Sequence, residues 1–89
     1  MKETKTFVLK NELGLHARAA AMIVNVATKY KSKILFERDG NEINGKSILG
    51  ILTLACPKGC SIMVTAEGED ARDAIEELEI LIDDKFGED

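Results

Sequence analysis

Hydrophobic and polar side chains alternate from Thr4 to Leu9, with Phe7 and Leu9 on one face and Thr6 and Val8 on the other. That period of two, with its β-branched content, predicts a strand, which the polar stretch Lys10 to Gly14 ends. From Ala17 to about Thr28 the period changes: Ala20, Ile23, Val24 and Ala27 recur at helical spacing, and the alanines lower the cost of forming a helix. Lys33 to Glu37 predicts a second strand with Ile34 and Phe36 on one side. Asp39-Gly40 is a tight-turn pair leading into a short partner strand around Asn41 to Ile43.

Ser47 has the position of an N-cap for a short apolar helix from Ile48 to about Ala55, which Pro57 and Gly59 would end. Ser61 to Glu67 alternates again as a strand. After Gly68, the residues Ala71, Ala74, Ile75, Leu78, Leu81 and Ile82 share one helical face, with Glu76, Glu77, Glu79 and Asp83 largely on the others. The order βαββαβα, with no linker or internal repeat, makes residues 1–89 one α+β domain. An antiparallel sheet of four strands with three helices packed on one face fits it best.

Composition narrows the function classes. The chain has 89 residues with a net charge of -4, no Trp and two cysteines. That is long enough to bury a core without staples, which become necessary below about 40 residues. No apolar run reaches the roughly 20 residues that cross a bilayer, and the start MKETKTFVLK lacks the apolar stretch of a signal peptide. These features predict a cytoplasmic protein with reduced thiols and no membrane insertion. Net negative charge is the wrong sign for a nucleic-acid binder. The charge is unevenly spread: residues 1 to 66 carry 10 basic and 5 acidic side chains, and residues 67 to 89 carry 2 and 11. The first two thirds could therefore face an acidic partner.

The candidate chemistry centres on His16, the single histidine, in Gly14-Leu15-His16-Ala17-Arg18-Ala19-Ala20 at the junction of the polar loop and the first helix. A helix start leaves backbone N–H groups of residues such as Ala17 and Arg18 unpaired and concentrates partial positive charge, so an anion beside His16 would meet donors already in place. Arg18 adds a permanent cation with a forked donor set suited to phosphate. A neutral imidazole is a nucleophile and could accept a phosphoryl group and pass it on. The plainer reading makes His16 a helix cap and Arg18 a solvated surface charge.

Gly14-Leu15-His16-Ala17-Arg18 resembles the phosphorylation site of HPr, the histidine phosphocarrier family of the phosphoenolpyruvate-dependent sugar phosphotransferase system. Asn44-Gly45-Lys46-Ser47-Ile48-Leu49-Gly50-Ile51-Leu52 is similar to that family's regulatory-serine segment, and the likeness continues through Gly59, Ile62 and Ala66-Glu67-Gly68-Glu69-Asp70 to the end of the chain. The resemblance implies an open-faced sheet with three helices. It implies phosphorylation of His16 on Nδ1, with Arg18 holding the phosphoryl group, Enzyme I as donor and histidines of sugar-permease IIA domains as acceptors. Such a chain is a carrier whose turnover depends on those partners, not an enzyme. Transfer of this kind needs positioning and charge stabilisation, so no cofactor and no metal is required.

The same resemblance assigns Ser47 to regulatory phosphorylation by an HPr kinase/phosphorylase in some bacteria, beside its structural role as a cap. It places Ile48, Leu49 and Leu52 in the surface that docks Enzyme I and IIA domains, and a short helix leaves some such residues exposed. The chain departs from the family at Ala19, where a proline usually follows the arginine, and at Gly45, where alanine is commoner. His16 argues against purely regulatory relatives that lack it. A sugar-uptake carrier and one serving a nitrogen-type or incomplete phosphotransferase chain both remain, with a monomer as the default state.

Two other patterns compete. Gly40 to Ser47 matches the nucleotide-binding pattern G-x-x-x-x-G-K-[ST], but only 42 residues follow Ser47, too few for repeated crossovers of about a dozen residues or more. Asp39-Gly40 also favours a hairpin over a phosphate cradle. Cys56-Pro57-Lys58-Gly59-Cys60 is one residue longer than the redox spacing, and a structural zinc wants four ligands where only His16 could add a third. Two incidental thiols are expected there.

Overall fold

A computed structural model describes residues 1–88. Its elements run β1 (Lys2–Val8), α1 (Ala17–Ala27), β2 (Lys33–Arg38), β3 (Asn41–Asn44), α2 (Ile48–Thr53), β4 (Ser61–Glu67) and α3 (Ala71–Asp83), followed by a 3-10 turn at Lys85–Gly87. The four strands form one antiparallel sheet in the order β1-β4-β2-β3.

Alternation along each strand decides which face is covered. Phe7, Ile34, Phe36, Ile62, Val64 and Ala66 are buried on the helix-bearing face. They meet Ala19, Ala20, Ile23, Val26 and Ala27 of α1 and Ala71, Ala74, Ile75, Leu78 and Ile82 of α3. Alanines at the contacts let the helices approach closely, and each large apolar side chain buried contributes about 1.5–3 kcal/mol. The opposite face carries the alternate residues, among them the cross-strand row Thr4, Thr65 and Leu35, which are exposed or half-buried, and among the described residues no helix lies over it. The fold is an α+β open-faced sandwich.

Several expectations shift in detail. Strand β1 begins two residues early because Lys2 pairs with Glu67, extending the ladder through residues too polar to signal a strand. Val24 is only half-buried, and Ala19 and Val26 take the core side of α1 instead. Helix α2 ends at Thr53, short of Ala55. Ala55 adopts a left-handed backbone (φ 49°), and the Arg38 guanidinium donates to the Leu54 and Ala55 carbonyls at 2.8 and 2.7 Å, satisfying acceptors that the helix end exposes.

Asp39 and Gly40 both have positive φ, 51° and 83°, as a two-residue hairpin turn requires, and Arg38 pairs with Asn41. This removes the nucleotide-binding alternative. Gly40 lies in the hairpin turn and Ile43 in a strand, while the Lys46 ammonium donates to the Tyr30 carbonyl at 2.8 Å.

The cysteine expectation is overturned: Cys56 and Cys60 form a disulfide. The intervening turn, with Gly59 at φ 86°, brings their Cα atoms to 5.6 Å, inside the range a disulfide bridges. Residue spacing does not reveal that turn. Among the described residues, no helix is long and apolar enough to cross a membrane.

Candidate functional site

The segment from Leu9 to His16 joins β1 to α1, and the disulfide-bonded turn braces both of its ends. Leu9 donates to the Cys60 carbonyl at 3.0 Å and accepts from the Gly59 amide at 2.8 Å, while Leu15 donates to the Cys56 carbonyl at 2.9 Å. Between them Gly14 adopts φ 62°, and a Cβ there would overlap the Cys56 carbonyl oxygen. Only glycine fits both the conformation and the close approach.

The chain then enters α1 with His16 as its N-cap in an extended conformation (φ -81°, ψ 176°). The His16 carbonyl accepts the first helical bond, from Ala20 at 2.9 Å, and its imidazole makes no capping bond. By helix geometry the amides of Ala17, Arg18 and Ala19 have no carbonyl one turn back to bond. No acidic residue lies in the first turn to offset the positive potential there. Arg18 and Ala17 are exposed, whereas Ala19 is fully buried against the core.

The imidazole is instead held by a residue at the far end of the chain. His16 Nε2 lies 3.0 Å from Glu88 Oε2. The same carboxylate oxygen accepts from Asn11 Nδ2 at 2.7 Å, and that amide group also donates to the Gly14 carbonyl at 2.8 Å. The Leu13 amide reaches the other carboxylate oxygen at 3.4 Å. The Asn11 hydrogen bond, with help from His16 and Leu13 and against partial burial, holds the Glu88 carboxyl below the usual carboxylate range. An ionised carboxylate only accepts, so a neutral His16 carries its proton on Nε2 and keeps its Nδ1 lone pair. Chemically, this is a nucleophilic nitrogen on the N-cap residue of a helix whose second residue is an exposed arginine, an arrangement able to take up and stabilise a phosphoryl group.

Glu88 and Asn11 escaped the sequence reading. The signal was Phe86, the one aromatic residue in an acidic tail: it is buried, and with Lys85 and Gly87 in left-handed backbone it turns the chain back toward His16. Asn11 is fully buried, and its Oδ1 has no hydrogen-bond partner among the described residues.

Ser47 caps α2: its Oγ accepts from the Gly50 amide at 3.0 Å and its carbonyl from Ile51 at 3.0 Å. On that helix Leu49 is 76% exposed and Ile48 42%, Ile51 is fully buried, and Leu52 is half-buried against the core. Helix α2 packs against α1, whose N-cap is His16.

The family profile described as the PTS HPr component phosphorylation site matches residues 3–84. The chain belongs to the HPr family. It is 40% identical over 82 residues to the phosphocarrier protein HPr of Xylella fastidiosa (strain 9a5c), covering 92% of each chain. Its fold superposes on the crystal structure of HPr-C-His from Thermoanaerobacter tengcongensis with a TM-score of 0.94 at 44% identity, covering 98% of both chains. It also superposes on an HPr dimer from the same organism, with a TM-score of 0.79 at 46% identity over 99% of this chain and 100% of that one. Membership makes the chain a phosphocarrier-type protein of the phosphotransferase system.

Proposed function

We propose that this chain carries a phosphoryl group on Nδ1 of His16, receiving it from Enzyme I and delivering it to a histidine of a IIA domain. The observation that carries this reading is the Glu88 carboxylate on Nε2, which selects Nδ1 as the nucleophile at the N-terminus of α1. In the forward step Nδ1 attacks phosphorus in line, an N–P bond forms, and the bond from phosphorus to the donor atom of Enzyme I breaks, that atom keeping the electron pair. The amides of Ala17 and Arg18 and the Arg18 guanidinium stabilise the transferring charge, and the reverse geometry passes the group to the acceptor. The chain's own groups suffice for these roles, without a cofactor or metal.

Ile48 and Leu49 supply exposed apolar surface for both partners, with Leu52 contributing only its half-exposed side. Phosphorylation of Ser47 by an HPr kinase/phosphorylase adds about two negative charges beside that surface and weakens docking. We place this exchange in the cytoplasm, where phosphoenolpyruvate is the ultimate donor, with the carrier acting as a monomer.

Intact-mass measurement after incubation with phosphoenolpyruvate and Enzyme I from the same organism tests the reading. One added phosphate, labile in mild acid and absent from His16→Ala, is expected. An unmodified parent chain would reject it.

A further inference from the structure

The Cys56–Cys60 disulfide closes a small ring whose two ends are the two braces of the His16 loop: the Cys56 carbonyl accepts from Leu15, and the Cys60 carbonyl accepts from Leu9. Gly14 lies so close to the ring that a side chain there would overlap Cys56 and come within 2.8 Å of the Pro57 Cα. Backbone thus rests on backbone, and a displacement of the Cys56 carbonyl moves Leu15, the residue before His16. We propose that this disulfide is a reversible redox switch that stiffens the His16 loop when oxidised and loosens it when reduced. Its effect on phosphoryl transfer rests on the carrier function proposed above.

The two sulfurs have different access. Cys56 is 3% exposed, whereas Cys60 is half-buried, so an incoming thiol reaches the Cys60 sulfur first. A small-molecule thiolate such as glutathione attacks that sulfur, forming a mixed disulfide and releasing Cys56 as a thiolate that takes a proton. A second thiolate attacks the small molecule's sulfur in the mixed disulfide and releases Cys60, which is protonated in turn. The balance is one protein disulfide plus two thiols giving two protein thiols plus one small-molecule disulfide, with two electrons passing to the protein. Reoxidation is the reverse. The neighbouring buried residues Leu54 and Ile62 anchor the two arms of the ring to the core, so the reduced cysteines stay within reach of each other. In a cytoplasmic protein, a disulfide that opens and closes is the form expected to persist.

The test equilibrates the full chain in glutathione buffers of graded redox ratio and measures three things. Thiol trapping with intact mass gives the oxidised fraction, hydrogen exchange reports the Leu9 and Leu15 amides, and single-turnover phosphorylation by Enzyme I gives the rate. The expected result is a transition inside the buffered range, with exchange at Leu15 about tenfold faster and phosphorylation slower in the reduced form. The doubly substituted Cys56→Ser, Cys60→Ser chain should match the reduced parent at every ratio. Free thiols at every ratio, a disulfide that survives the most reducing buffer, or equal exchange in the two forms would overturn the switch. Equal phosphorylation rates with unequal exchange would overturn its control of transfer. A parent chain that takes no phosphate in either form would reject the carrier function, and exchange at Leu15 would still decide the switch.

Discussion

Glu88 accepts hydrogen bonds from Asn11, His16 and Leu13, and each favours its ionised form. Because the folded state depresses the Glu88 pKa from 4.5, its contribution to stability is present above about that pH and is lost as pH falls through the depressed native value. Glu88→Gln should therefore melt below the parent at neutral pH, with the gap closing in acid; a gap independent of pH in thermal melts would count against this. Tyr30 behaves in the opposite sense. Its hydroxyl donates to Glu77, and this bond, then burial and the charges of Glu77, Asp73 and Asp70, push its pKa up to about 12. Tyr30 is the only tyrosine and the chain has no tryptophan, so phenolate absorbance reports it alone. The alkaline midpoint should lie near 12 and drop toward 10 in Glu77→Gln. The matching stability is present below pH 10 and fades as pH rises toward 12.

At the scale of elements, the turn between β3 and α2 shows how closely the core is filled. Gly45 is buried, and a Cβ there would sit 2.8 Å from the Ile34 Cγ2 and 3.0 Å from two carbons of the Phe36 ring. An alanine there would force those side chains to move, so Gly45→Ala should cost roughly 1–3 kcal/mol in this chain. Denaturant unfolding with an unchanged slope and a lower midpoint would show it. An equal midpoint for Gly45→Ala would mean the core yields freely. Helix α2 itself is held at its start by Ser47 and at its end by Arg38, a contact between elements that no local pattern announced.

Across the whole molecule, the charge asymmetry of the chain is largely spent internally. Lys5, Lys10 and Lys29 pair with Glu79, Asp83 and Glu77, so the acidic last helix covers much of the basic excess of the first two thirds. Exposed pairs of this kind contribute about 0–1 kcal/mol each, and their larger effect is on which basic groups remain to face a partner. Arg18 forms no ion pair among the described residues, and Leu49 stands exposed on the adjacent helix. Leu49→Glu should leave the melting temperature unchanged and slow phosphoryl transfer from Enzyme I. Transfer at the parent rate would remove α2 from the docking surface.

Element order and the buried faces were legible because strands and helices impose periods of two and 3.6 on their apolar residues. Asp39-Gly40 announced its hairpin because few residue pairs adopt two successive positive φ values. His16 and Ser47 were legible as positions, since helix starts have local requirements. Contacts between distant segments leave no such period. Glu88 reaches His16 from 72 residues away, Arg38 caps α2, and the Cys56 turn closes a disulfide against Gly14, each through a packed core that brings the segments together. Periodicity and turn chemistry were enough to locate the elements, the covered face of the sheet and His16 as the candidate residue. The contacts that hold the His16 ring and its loop in place emerged only from the packed fold, because they depend on distances that folding sets.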